Sequence, residues 1–296
     1  DQIDQLMNEI EQLQGEISSA DAGLEAAAKA EEEAKAAAEA EAAAAAAAEA
    51  PVAQSAPLPL SQITVLDLTL ARAGPTCVRH LADWGATILR IEPAEVTGED
   101  ISGKREGFDF QNLHRNKKMV RLNLKSPEGH AAFMKLVEKA DVIIENMRAE
   151  VKHRLKVSYD DVKKVNPRIV YGSISGFGQT GPYGKRAGVD QIVQGTGGLM
   201  SITGHEAERP ARVGSSISDI LAGMYSAFAI CAALARRART ERGADLDLSM
   251  LDCTVAVLEN AIVRYGVTGE VPGPLGTRIR PSGVTVTSGS MMSSFQ

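Results

Sequence analysis

Cysteine and histidine are both scarce in this chain. The three cysteines, Cys77, Cys231 and Cys253, lie far apart and lack metal-ligand spacing. That excludes a disulfide framework and a zinc cluster, and leaves reduced, structural thiols. The five histidines (His80, His114, His130, His153 and His205) form no H-x-x-x-H pair or other ligand set, so no metal site is expected. No apolar run reaches the ~20 residues that span a bilayer. The first residues are acidic and polar, unlike a secretory signal. What remains is a cytoplasmic globular protein with neither a membrane nor a nucleic acid as partner.

Charge is unevenly spread. Residues 1–50 hold thirteen acidic and two basic side chains, while the other 246 hold twenty-five acidic and thirty basic. The formal net charge of −6 therefore hides a mildly basic body. Such a balance suits a phosphate-bearing ligand, although charge of this size concerns solubility first.

The first fifty residues form a separate unit. Ile3, Leu6, Ile10, Leu13 and Ile17 recur at spacings of three and four, the a/d seam of a short coiled coil. An Ala/Glu/Lys tract over 24–50 follows. It has high helix propensity and few large apolar residues, so it cannot build a core and reads as a semi-rigid spacer. A docking helix and a solvated helix both satisfy residues 1–20. Pro51, Pro57 and Pro59 break the tract in a linker over 51–59.

The body alternates strand and helix. Strands are predicted at 63–69, 86–91, 118–124, 141–145, 168–174 and 244–249, and helices at 75–84, 127–139, 158–165, 189–200, 219–239 and 249–264. Ser126-Pro127-Glu128 is a helix start with a cap, a proline at the first helical position and an acid in the first turn. The alternation predicts an α/β fold: a Rossmann-like, mostly parallel sheet with helices on both faces. Ligands of such sheets sit beyond the carboxyl ends of the strands, so the loops at 69–75, 92–99, 146–150 and 174–186 are expected to line the site.

Gly176-Phe177-Gly178-Gln179-Thr180-Gly181 matches the dinucleotide fingerprint G-x-G-x-x-G after a strand. The fingerprint requires an immediate helix and an acid about twenty residues on. Pro182-Tyr183-Gly184 follows instead, and no acid lies near position 200. The segment reads as a mobile turn, and NAD is rejected.

Asp219 stands at the mouth of the long apolar segment 220–239, where two readings apply. As an N-cap it would satisfy orphan N–H groups. As a nucleophile it would gain from the positive helix end, which favours the ionised carboxylate at neutral pH. Asp190 reads from the pattern as the N-cap of the 190–200 helix.

Four motifs in order bear on the choice: ITVLDLTLARAGPTCVRHLADWGATILRIEP at 63–93, NLHRNKKMVRLNLKSPEG at 112–129, ADVIIENMRAEVKHRL at 140–155, and AGVDQIVQGTGGLMSITGHEAERPARVGSSISD at 187–219. Together, from about Leu58 to the C-terminus, they resemble the family III CoA-transferases, the formyl-CoA and carnitine CoA-transferase group. The resemblance implies that Asp219 is the covalent nucleophile and that an acyl-CoA and a carboxylic acid are the substrates, with no tightly bound cofactor. It implies contacts to coenzyme A from Asn146, Arg154 and Lys125, and places Arg72 where formyl-specific members carry a glutamine that shapes the acyl pocket. Asp190 and Gly178 would line the site together with Gly197 and Gly198, for which two roles are open, letting backbone donors approach an oxyanion or simple packing.

Pro93 and Ala187 replace basic residues of other members, which puts a formyl or oxalate substrate in doubt. The α-methylacyl-CoA racemases share the superfamily, but their base is a histidine in the context A-G-H-D, which reads Ala187-Gly188-Val189-Asp190 here. Valine cannot take a proton. Members also form interlocked dimers and are longer than this chain. The large domain is expected over 60–265, with 266–296 starting a small domain or a truncated connection. A homodimer is expected, or a subunit completed by a partner chain.

Overall fold

The structure, a computed structural model, describes residues 56–93, 104–205, 209–274 and Gly276. The leader 1–50, the start of the linker, and most of 266–296 beyond Pro274 lie outside the described residues. The chain divides at Ala56/Pro57 into two units, and all that follows concerns the second.

Short strands, the central ones rich in β-branched and aliphatic residues, form a six-stranded sheet among the described residues. The strands are β1 (Thr64–Leu68), β2 (Thr87–Glu92), β3 (Lys117–Arg121), β4 (Val142–Glu145), β5 (Val170–Ser175) and β6 (Ala244–Ser249). Their order is β3-β2-β1-β4-β5-β6, and every pairing is parallel. Order reverses between β1 and β4, so the loops leaving these two strands diverge and open a crevice at the carboxyl edge.

Successive residues of a strand face opposite sides, and both faces are covered. Val65, Ile88, Val142, Ile144 and Val170 pack under α1 (Ala73–Asp83) and α7 (Ile217–Thr240). Leu66, Leu68, Ile143 and Tyr171 pack against Phe133 and Val137 of α3 (Pro127–Val137), with Val157 and Val162 beside them. Burial on both faces explains why β4 opens on an unbroken apolar run, Val142-Ile143-Ile144.

The expected start of α3 is observed. Ser126 Oγ accepts a hydrogen bond from the Gly129 N–H at 3.1 Å, and Pro127 occupies the first turn. Two short helices were not foreseen, α2 (Phe108–His114) and α4 (Ala149–Arg154); seven and six residues carry too little periodicity to register. The 158–165 pattern gives only α5 (Tyr159–Val162). The 189–200 pattern gives α6 (Asp190–Thr196), and Gly198, at φ +86°, turns the chain into a 3₁₀ segment at Leu199–Ile202. The last pattern splits into α8 (Met250–Ala256) and α9 (Glu259–Thr268).

By length and composition α7 is apolar enough to cross a membrane. Its small residues Ala222, Gly223 and Ser226 are buried, and a Cβ on Gly223 would strike Thr76 of α1, so this face of the helix packs into the core while Met224 and Phe228 stay exposed. Cys77 and Cys253 are buried free thiols. Burial pushes Cys253 up to about 11, which leaves it an inert packing residue.

Candidate active site

Asp219 is the third residue of α7, whose cap position is Ser216, so it is not the N-cap. Capping comes instead from Asp190, the first residue of α6. One Asp190 oxygen accepts from the N–H of Ser218 at 2.8 Å and from that of Asp219 at 3.4 Å. The other accepts from Gln194 Nε2 at 2.7 Å. Asp190 is therefore not the cap of its own helix either; it satisfies orphan donors of a helix nearly thirty residues away in sequence. Gln194 completes the tie by accepting from the Val213 N–H at 2.9 Å.

Asp219 projects from this fixed turn into a cleft of about 350 Å³. Burial is the largest influence on its carboxyl and the Asp190 charge adds to it, while Arg72 and the Ala73 N–H act in the opposite direction; the balance puts its pKa at about 6. The helix end does not hold it at an ordinary carboxylate value. It is nevertheless mostly ionised at pH 7, and more basic than a surface aspartate, which suits a carboxylate nucleophile.

Walls of the cleft come from the loops after β1, β4 and β5, as the sheet topology requires. Arg72, Arg148, Lys185 and Arg186 line it, against Glu150, Asp190 and Asp219 among the acids. Arg72 is half-buried and pairs with Asp109 of α2 at 2.5 Å. Asn146 joins the β1 and β4 loops: its Oδ1 accepts from the Leu70 N–H at 2.8 Å, and its Nδ2 donates to the Leu70 carbonyl at 2.7 Å. Both ends of that amide serve the backbone. No histidine is among the residues lining the cleft, so nothing there matches the base of a racemase.

The 176–181 turn closes one side. A Cβ on either Gly176 or Gly188 would fall 2.4 Å from the other's Cα, so this approach admits only glycine at both positions. Asp247 of β6 accepts from the Gln179 N–H at 2.9 Å, and no helix begins before Asp190. A dinucleotide cradle is absent from the turn. Gly178 does not line the cleft, nor do Gly197 and Gly198. The N–H of Gly197 donates to the Val193 carbonyl, and that of Gly198 to Gly195. A Cβ on Gly197 would meet Val193 O and Thr254, so packing explains it, and these two N–H groups are not free to meet an oxyanion.

The cleft does not end at Asn146. Met147 also lines a second, more apolar cavity of about 510 Å³, walled by Leu68, Leu70, Ile91, Leu122 and Leu124 and bordered by Pro93. Leu124, Lys125 and Leu155 are shared in turn with a third, of about 580 Å³, which adds Arg154, Lys156 and His130 and no carboxylate. Three neighbouring cavities with shared walls thus form a trough from the Asp219 carboxylate, past an apolar stretch, to a basic end. It brings Asp219, Arg72, Asn146, Lys125 and Arg154 onto one path. Arg148, Lys185 and Arg186 were not singled out from the sequence, although the loops carrying them were placed at the site.

A sequence model of CoA-transferase family III matches residues 60–288. The chain is 40% identical over 223 residues to acetyl-CoA:oxalate CoA-transferase of Acetobacter aceti, covering 73% of this chain and 57% of that one. It is 39% identical over 226 residues to succinate–glutarate CoA-transferase of Agrobacterium fabrum, covering 72% and 56%. A crystal structure of a CaiB/BaiF family protein from Brucella suis superposes with a TM-score of 0.69 at 35% identity, covering 75% of this chain and 61% of that one. The chain thus spans little more than half the length of the curated relatives it matches.

Proposed function

Since the chain belongs to CoA-transferase family III, we propose that it transfers coenzyme A from an acyl-CoA to a carboxylic acid through covalent intermediates on Asp219. The observation that carries this reading is the trough. A carboxylate with its pKa near 6 lies at one end, a stretch with apolar walls in the middle, and Lys125 and Arg154 at the other. Acyl-CoA has the same order of parts: a thioester, a long flexible arm, and phosphates that take charge-assisted hydrogen bonds from Lys and Arg.

Asp219 attacks the thioester carbonyl; a C–O bond forms, the C–S bond breaks, and CoA leaves as the thiolate. The thiolate attacks the Asp219 carbonyl of the mixed anhydride, releasing the acyl group as its acid and forming an aspartyl-CoA thioester. The acceptor carboxylate attacks that thioester, and the returning thiolate then takes the acceptor's acyl carbon and frees Asp219. Each step exchanges one activated acyl bond for another, which keeps the intermediates close in energy. Arg72 and the Ala73 N–H face the carboxyl whose charge changes at every step, the arrangement that electrostatic stabilisation requires. Arg72, Arg148, Lys185 and Arg186 together favour an acid bearing a second carboxylate, and the relatives named above act on oxalate, succinate and glutarate.

The test is an exchange assay. The full chain is incubated with succinyl-CoA or acetyl-CoA and with oxalate or glutarate, and the new acyl-CoA is read by mass. A new thioester that requires both substrates supports transfer; hydrolysis alone, or no reaction with any pair, counts against it. Binding supplies a second prediction. Lys125→Ala/Arg154→Ala weakens CoA affinity by about a hundredfold, since each charged hydrogen bond is worth ~1.5 kcal/mol or more. The weakening is smaller at high salt, and calorimetric titration with CoA measures it.

A further inference from the structure

The segment His114-Arg115-Asn116-Lys117 has no part in the trough, and yet it bears on the first helix of the site. Arg115 pairs with Asp83 at the last turn of α1 at 2.5 Å. Lys117 reaches the other end of the same helix: its Nζ donates to the Pro75 carbonyl at 3.3 Å and to Asp67 Oδ2 at 3.1 Å. Both partners of the Asp67–Lys117 ion pair are completely buried. Asp67 Oδ1 accepts from the Thr69 N–H at 2.9 Å and from its hydroxyl at 2.5 Å. Thr69 in turn lies against Gly74, where a Cβ would come within 2.4 Å of Thr69 Cβ. One buried pair therefore holds both ends of the 69–75 turn, Thr69 through Asp67 and Pro75 through Lys117. Between those ends lie Ala71, at φ +60°, and then Arg72 and Ala73, which face Asp219.

We propose that Asp67 and Lys117 are positioning residues for the nucleophile, fixing the 69–75 turn so that the Arg72 guanidinium and the Ala73 N–H face the Asp219 carboxylate. The proposal rests on Asp219 being the nucleophile. An ion pair taken wholly out of water needs compensating hydrogen bonds, and here these run to the turn itself, which couples the pair to the turn's geometry. Burial works against the Asp67 charge, but Lys117, Thr69 and Arg90 outweigh it and hold the carboxyl below its usual range. Burial depresses the Lys117 ammonium and Asp67 opposes that. Arg90 of β2, His114 of α2 and Cys77 of α1 are the other titratable groups beside the pair. Around Asp219 they are Asp190 and Arg72, with Asp109 on Arg72 and Arg148, Glu150, Lys185 and Arg186 lining the same cleft.

The experiment is a pH titration of the Asp219 carboxyl by carbon NMR in aspartate-labelled full chain, assigned with Asp219→Asn. In Asp67→Asn/Lys117→Met, which removes both charges together, the midpoint rises by about one pH unit as Arg72 and the Ala73 N–H drift away. Lys117→Gln, a milder change that keeps a donor, raises it by less and is the deciding variant if the double variant does not fold. Arg115→Ala, at the far end of α1, lowers the melting temperature without moving the midpoint. An unchanged midpoint in the folded Asp67/Lys117 variants overturns the proposal, as does an equal shift in Arg115→Ala. No substrate enters the titration. A failed exchange assay beside a shifted midpoint therefore removes the transferase reading alone.

Discussion

Asp219→Asn is expected to abolish acyl transfer and, at pH 7, to make the folded protein more stable. The first effect is a loss of more than ~10³-fold, because an amide cannot replace a carboxylate nucleophile. The second follows from the pKa of about 6 against an ordinary value of 3.8. The folded state keeps its proton through a range where the unfolded chain has lost it. Stability contributed by the protonated carboxyl is therefore fully present below about pH 3.8, falls as pH rises through 6, and is gone above it. Removing the charge recovers about 2 kcal/mol at pH 7, after a discount for partial exposure. Thermal melting of the two proteins from pH 3.5 to 8 reads it: the gap opens between pH 4 and 6 and is then constant. The same ionisation gives catalysis an acid limb near pH 6. A variant less stable than the parent at pH 7 would mean that Asp219 is held in place by its charge and not against it.

Gly223→Ala carries the second large effect, although it adds one methyl group. Gly223 lies one helical turn beyond Asp219 on α7, on the face packed against α1. A Cβ there would come within 2.8 Å of Thr76 Cβ and 2.9 Å of the Ala73 carbonyl. Neither is the end of a flexible chain, so the two helices must part. Overpacking of this kind costs ~2 kcal/mol, and Gly223→Val costs more. The displaced residue is also the one whose N–H faces Asp219, so transfer falls more than tenfold even where the protein remains folded. Urea unfolding and the exchange assay, run on the same preparation, check both parts. A silent Gly223→Ala would show that the α1–α7 contact tolerates separation and that the Ala73 N–H does not matter.

Much of this architecture was legible in the sequence because a doubly covered parallel sheet leaves an unmistakable pattern. β4 and β6 match their predicted ranges to within a residue, and the Ser126-Pro127 start of α3 works by local chemistry alone. The sheet in turn placed the 69–75, 146–150 and 174–186 loops around Asp219, while 92–99 lies outside the described residues beyond Pro93. What stayed hidden depends on contacts between distant residues. That Asp190 caps α7 rather than its own helix follows from tertiary packing, and so does the use of both ends of the Asn146 amide on Leu70. Gly197 and Gly198 read equally as donors to an oxyanion or as packing residues; the structure commits their N–H groups to carbonyls one turn back. The rise in the Asp219 pKa also needed three dimensions, since burial and the Asp190 charge exceed what Arg72 and the Ala73 N–H supply.

A covalent acyl bond on Asp219 is tested most directly by trapping. The full chain is incubated with succinyl-CoA and hydroxylamine, digested, and searched by mass spectrometry for a hydroxamate, with Asp219→Ala alongside. The prediction is a hydroxamate on the peptide holding Asp219, absent from the variant and formed faster as pH rises through 6. Rapid thioester turnover with Asp219 unmodified, or equal labelling in the variant, would contradict it.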